Sequence, residues 1–216
     1  NNGYTEQAGE TSIADDPTDA RLPLFPAATD ASATVAIDRG VRAVRATAYG
    51  NPVSYDAAHR PSQVLDGDLT TSWTEGAFSD VTGAQLRIDL AAPVRTDHIN
   101  VVQPLVKPNE RWITKATLLF DNGSPLTVDL GSASRTAQGQ TITFPTRTFS
   151  RLDIRVDDSN FGRRADYRGG SGVGFAEVRI PGVAAEEVLR LPTDLLDAAG
   201  PASVSYTHLT LPTILR

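Results

Sequence analysis

The chain has 216 residues, 40% of them hydrophobic, and a formal net charge of −6 from 26 acidic against 20 basic side chains. That is enough apolar chain for one sizeable core with tails, while the acidic balance excludes the basic stripe that neutralising nucleic-acid phosphates requires. With no Cys there is no disulfide, thiolate nucleophile or Cys-ligated zinc, and no apolar run approaches the ~18 residues that span a bilayer.

Residues 1–39 are rich in Asp, Thr, Ala and Pro without a sustained period of 2 or 3.6, and predict a linker or the edge of a preceding domain. Met is absent throughout, which marks the chain as an internal piece of something longer. From Val41 the period becomes 2. Leu86, Ile88 and Leu90 alternate with polar neighbours, as do Leu126, Val128 and Leu130, Ile142 and Phe144, Leu152, Ile154 and Val156, and Ala176, Val178 and Ile180. These predict half-buried strands of about five or six residues. Between them lie turn signals: GNP at 50–52, DG at 66–67, AAP at 91–93, DNGSP at 121–125 and the glycine-rich GRRADYRGGSG at 162–172. Short strands without intervening amphipathic helices exclude a parallel βαβ layout and predict an all-β domain, an antiparallel β-sandwich or jelly roll, over residues 40–183.

Residues 184–203 predict a short helical connection, with one helix at EEVLRL (186–191) and another at TDLLDAA (193–199), Thr193 serving as N-cap. The tail from 204 to 216 contains VSYTHLTLPT, which one reading frame of a transposase adapter used in sequencing libraries encodes, so it is read as adapter read-through without functional weight.

Two segments carry the chemistry. In VLDGDLTTSW (64–73), Asp66, Asp68 and Thr71 sit in one tight turn around Gly67, and in GFAEVRI (174–180) Glu177 is a lone carboxylate between Ala176 and Val178. Their oxygens suit a hard cation such as Ca²⁺, which takes about 6 to 8 of them. From the turn alone the plainer reading prevails, in which DGD is merely a turn and Glu177 a solvated strand residue.

The paired segments resemble the discoidin family, also called coagulation factor 5/8 C-type domains and, in bacteria, carbohydrate-binding module family 32. The likeness covers roughly residues 40–183. It implies a galactose-binding-like jelly roll and a structural Ca²⁺. The implied ligands are the Gln63 carbonyl, the Asp66 carboxylate, Asp68, Thr71 through carbonyl and hydroxyl, the Ala176 carbonyl and the Glu177 carboxylate. One ion would then join the first loop to the last strand, about a hundred residues later, and restrict the unfolded chain. In the family the tryptophan that ends the first motif packs beneath the loop, which assigns Trp73 to the core rather than to a sugar platform.

The stretches 97–123 and 157–183 further resemble the soluble carboxy-terminal region of the arabinofuranosyltransferase D-type family of mycobacteria and their relatives, membrane glycosyltransferases of the GT-C class that extend cell-wall arabinan. A scarcity of lysine, with only Lys107 and Lys115, matches the bias of a GC-rich actinobacterial genome. The resemblance implies an extracytoplasmic, non-catalytic module tethered to a membrane enzyme, with cell-wall polysaccharide (arabinan) or neighbouring domains as partners. The alternatives are a discoidin-type binding module of another envelope protein or glycosidase, and a purely structural spacer.

Sugar binding needs an aromatic face and planar hydrogen-bonding groups. Asn109, Glu110, Arg111 and Trp112 offer these in one loop, and Asn160, Phe161, Arg163, Arg164 and Tyr167 in another, with glycines at 169, 170, 172 and 174 letting the second fold across the sandwich rim. Equally, Arg163 and Arg164 would pair with Asp157, Asp158 and Asp166, and Trp112 would cover the end of the core. No catalytic constellation emerges: His59 and His98 lie outside any nucleophile-elbow context, and no carboxylate pair is fixed by its pattern.

Overall fold

The computed structural model describes residues 30–50, 59–76, 80–105, 111–160 and 172–194. They carry ten strands: β1 (Val35–Arg39), β2 (Val41–Ala46), β3 (Trp73–Glu75), β4 (Gln85–Val102), β5 (Ile113–Phe120), β6 (Leu126–Asp129), β7 (Gln140–Ser159), β8 (Val173–Phe175), β9 (Glu177–Arg179) and β10 (Glu186–Arg190). No described helix is long and apolar enough to cross a membrane.

The fold is an antiparallel β-sandwich of the jelly-roll type, as the alternation predicts. The main sheet runs β2-β4-β7-β5-β6, with β9 also pairing with β4, while β3 pairs with β8 and β1 with β10. Alternate residues point inward. Leu86, Ile88 and Leu90 from β4, Ala116 and Leu118 from β5, and Leu152, Ile154 and Val156 from β7 all enter one core, joined by Trp73, Phe149 and Phe175.

Two strands are far longer than predicted, β4 at 18 residues and β7 at 20. The AAP signal at 91–93 does not end a strand. Instead the register jumps from Asp89 opposite Arg151 to Val94 opposite Phe149, so Ala91, Ala92 and Pro93 form a bulge within β4. Pro93 lacks an N–H for the ladder, and a bulge is where a sheet tolerates that. The consequence is a bent strand pair, with β4 serving two neighbours besides β7. The first half of β4 pairs with β2, and its second half pairs with β9 through Asn100 opposite Arg179 and Val102 opposite Glu177.

The chain divides into two compact units. Among the described residues the larger holds 38–188, and the smaller holds 30–37 and 189–194. In the smaller unit Ser32 Oγ donates to Asp194 Oδ2 at 2.6 Å, and Thr193 N donates to Ala31 O at 2.8 Å.

The helix predicted at EEVLRL is a correction: Glu186–Arg190 is strand β10. Six residues ahead of Pro192 give too few turns to repay helix nucleation, whereas pairing with β1 supplies backbone bonds. Strand β1 likewise begins inside the stretch read as linker. The second predicted helix, beyond Asp194, and the tail from 204 lie outside the described residues.

Candidate cation loop and ligand rim

The loop is built from the turn that precedes it. Pro61–Leu65 forms a short 3-10 helix with Pro61 at its start, where a missing N–H is harmless, and Val64 and Leu65 sink into the core. Asp66 follows, and Gly67 takes φ +78°, a left-handed value that a side chain would disfavour.

Beyond it the oxygens converge. Asp66 Oδ1 accepts from Asp68 N at 2.8 Å, and Thr71 Oγ1 lies 2.8 Å from both Asp66 Oδ2 and the Asp68 carbonyl. From the far end of the chain, Glu177 Oε2 accepts from Gly67 N at 2.9 Å. Glu177 is only 4% exposed, between the fully buried Ala176 and Val178. Burial pushes its pKa up to about 7, and the negative charge of Asp66 adds to the rise against the opposing Gly67 N–H and Arg179. Arg179 in turn fixes β9, donating to Asn100 Oδ1 and to the carbonyls of Gln138 and Ala137 at 3.1 to 3.2 Å.

The solvated-strand reading of Glu177 is thereby excluded. Asp68 meets the cluster through its carbonyl, which accepts from Thr71 Oγ1. The Asp68 carboxylate is turned onto its own turn, accepting from Thr70 N at 2.8 Å and Thr70 Oγ1 at 2.7 Å, which holds its pKa below the usual carboxylate range. Among the described residues no three acidic or histidine side chains gather around a metal position. The local donor set is instead two carboxylates, Asp66 and Glu177, with the Thr71 hydroxyl and backbone carbonyls. Thr71 has one hydroxyl proton for two acceptors 2.8 Å away, so the cluster is rich in acceptors. That chemistry fits a hard cation. Gln63 lies in the 3-10 turn just before the loop, and Ala176 sits immediately before Glu177, its N donating to Val102 O at 2.8 Å.

Trp73 is in the core, fully buried, stacked on Phe175 with centroids 6.2 Å apart, its Nε1 donating to Ala48 O at 2.9 Å. It offers no sugar platform.

At the expected rim, Asn109 and Glu110 and the residues Phe161, Arg163, Arg164 and Tyr167 lie outside the described residues. Arg111 is 2% exposed, which withdraws its guanidinium from a solvent-facing rim. Trp112 is half-buried, with the Arg135 guanidinium 4.1 Å above its ring. The two loops do meet at their bases: Trp112 N donates to Asn160 Oδ1 at 2.8 Å, and Asn160 N donates to Trp112 O at 3.1 Å. Beneath them the buried Gln103 accepts from Ile113 N at 2.7 Å and donates to Ile113 O at 3.0 Å and Ser134 Oγ at 2.9 Å. Gly172 and Gly174 are not rim hinges but places where backbone meets backbone, against Gly76 and Trp73. His98 sits on β4 with Nδ1 2.6 Å from Asp97 Oδ1, and Asp157 is engaged by Arg155 at 2.7 Å.

No protein-family model and no curated protein matches the chain. Among solved structures, cryo-EM structures of arabinofuranosyltransferase AftD from Mycobacteria align over 74% of this chain with TM-scores of 0.55 and 0.54, at 15% and 14% identity. The chain shares its fold with part of AftD. It spans 13% and 12% of those AftD chains. A pectin-binding carbohydrate-binding module gives a TM-score of 0.45 at 19% identity, over 66% of this chain and 91% of that one. The CBM32 of AlyQ, in complex with 4,5-unsaturated mannuronic acid, also gives 0.45 at 19% identity, over 68% and 98%. At 15% identity the likeness to AftD is one of fold, and the chemistry of the loop rests on this chain's own geometry.

Proposed function

We propose that the chain is a Ca²⁺-stabilised discoidin-type module of an AftD-like arabinofuranosyltransferase, lying on the extracytoplasmic side of the envelope and contacting arabinan without catalysing its transfer. The observation that carries this reading is the fold shared with AftD over 74% of the chain. The loop from Asp66 to Thr71 and Glu177 support the metal, with the carbonyls of Gln63 and Ala176 completing the ligand set; the ion would supply charge neutralisation and a cross-link between loop and strand. The chain's own residues do the positioning: Gly67 makes the bend and donates its N–H to Glu177, Val64 and Leu65 anchor it, and Arg179 ties β9 to Asn100 and the 137–138 carbonyls.

The metal makes a thermal prediction. A ligand at a hundredfold excess over its dissociation constant stabilises the native state by about 2.7 kcal/mol. For a chain of this size that corresponds to roughly 5 to 10 °C of melting temperature. Melting in CaCl₂ is therefore expected to exceed melting in EGTA by that amount, and Asp66→Ala is expected to abolish the difference. Superimposed melting curves for the native sequence would remove calcium from the reading.

Binding is tested by titrating the chain with arabinan fragments. Trp112→Ala and Tyr167→Ala are each expected to weaken binding by about two- to tenfold, since losing an aromatic contact costs on the order of 0.5 to 1.5 kcal/mol. A second reading, a docking or spacer module that touches no sugar, is favoured by the burial of Arg111 and by Arg135 covering the Trp112 ring. No heat of binding across arabinan fragments, with a normal melting curve, would select it.

A further inference from the structure

The 3-10 turn Pro61–Leu65 is loaded at both ends. Its C-terminal end runs directly into Asp66 and Gly67, whose N–H is held by Glu177. Its N-terminal end grips β10: Arg60 Nη2 lies 3.0 Å from Glu187 Oε2, and Ser62 Oγ donates to the same oxygen at 2.6 Å. A third bond, from Ala185 N to Leu65 O at 3.2 Å, ties the backbone just before β10 to the last residue of the turn. Close backbone packing holds this segment from the other side, because Gly40, at φ +88°, has room for no side chain: a Cβ there would lie 2.1 Å from Ala184 O. Val64 and Leu65 are buried in the core, so the turn is also anchored from within.

We infer that this turn couples the cation loop to β10, so that filling the loop tightens the attachment of the strand by which the chain leaves the sandwich. The coupling rests on the calcium reading proposed above. Physically, a bound cation would fix the backbone from Gln63 to Thr71, and Ser62 and Arg60 lie immediately before that stretch. Their bonds to Glu187 require the turn in one position, so restricting the turn restricts β10. Linkage makes the effect reciprocal: whatever Ca²⁺ does for β10, the Glu187 contacts do for Ca²⁺ affinity.

Hydrogen–deuterium exchange on this chain, in CaCl₂ and in EGTA, separates the outcomes. In the native sequence Ca²⁺ is expected to slow exchange at least about fivefold, the lower end of allosteric coupling, both in the loop amides and in the amides of residues 185–188. Glu187→Ala is expected to keep the slowing in the loop, lose it in β10, and weaken Ca²⁺ binding by the same factor. Ser62→Ala, a milder change that keeps the ion pair, is expected to give a smaller loss in the same direction and stands in if Glu187→Ala fails to fold. Slowing of the loop with β10 unchanged would overturn the coupling and leave the calcium reading intact. Slowing of neither would overturn both.

Discussion

Alanine at position 174 is expected to cost the domain about 4 kcal/mol or more, a loss reserved for changes with a definite structural cause. Gly174 pairs with Thr74 where β8 lies against β3, and a Cβ there would sit 1.8 Å from the Trp73 carbonyl oxygen and 2.7 Å from its carbon. Every atom it meets belongs to backbone, so no side-chain rotation relieves the overlap and the two strands must part. Parting them uncovers Trp73 and Phe175, the flanking pair in the same register. Gly67→Ala is the matched control. Nothing lies within 4 Å of a Cβ there, so only its left-handed φ of +78° resists, and the expected cost is about 1 to 2 kcal/mol. Urea unfolding of both variants checks the contrast. Equal losses would mean that the β3–β8 approach is looser than described.

Trp73→Ala is the second large effect, expected at about 3 to 5 kcal/mol for a fully buried tryptophan. The indole stacks on Phe175 and its N–H satisfies Ala48 O, so the variant leaves both a void and an unpaired carbonyl. Trp73→Phe is expected to recover much of the packing while still losing the hydrogen bond, at about 1 to 3 kcal/mol. A tryptophan used as a sugar platform would behave in the opposite way, losing ligand binding while the unfolding midpoint stayed in place. Unfolding and arabinan titration on the same two variants distinguish the roles.

The strands were legible because alternation is a direct readout of one face in and one face out. Leu86, Ile88 and Leu90 needed no further information. Alternation does not say where a strand stops, however, and the AAP signal was ambiguous between a turn and a bulge until Arg151 and Phe149 fixed the register. The helix expected at 186–191 fails for a related reason: local propensity favours helix in EEVLRL, but pairing with β1 is set by residues far away in the chain. At the loop, the spacing of Asp66, Asp68 and Thr71 conveyed proximity without direction, so the turning of Asp68 onto Thr70 was invisible. Arg111 beside Trp112 reads as a surface pair, and its burial comes from packing that sequence neighbours do not reveal. Gln103 carries a legible signal, a lone amide closing an apolar strand end.

The bent pairing of β4 with β7 has a consequence for folding. Because β4 and β7 run unbroken through the bulge, the two ends of the main sheet share the same pair of strands, which come from segments far apart in the chain. Its assembly must wait until distant segments find each other, which places it among slowly folding, all-or-none β proteins.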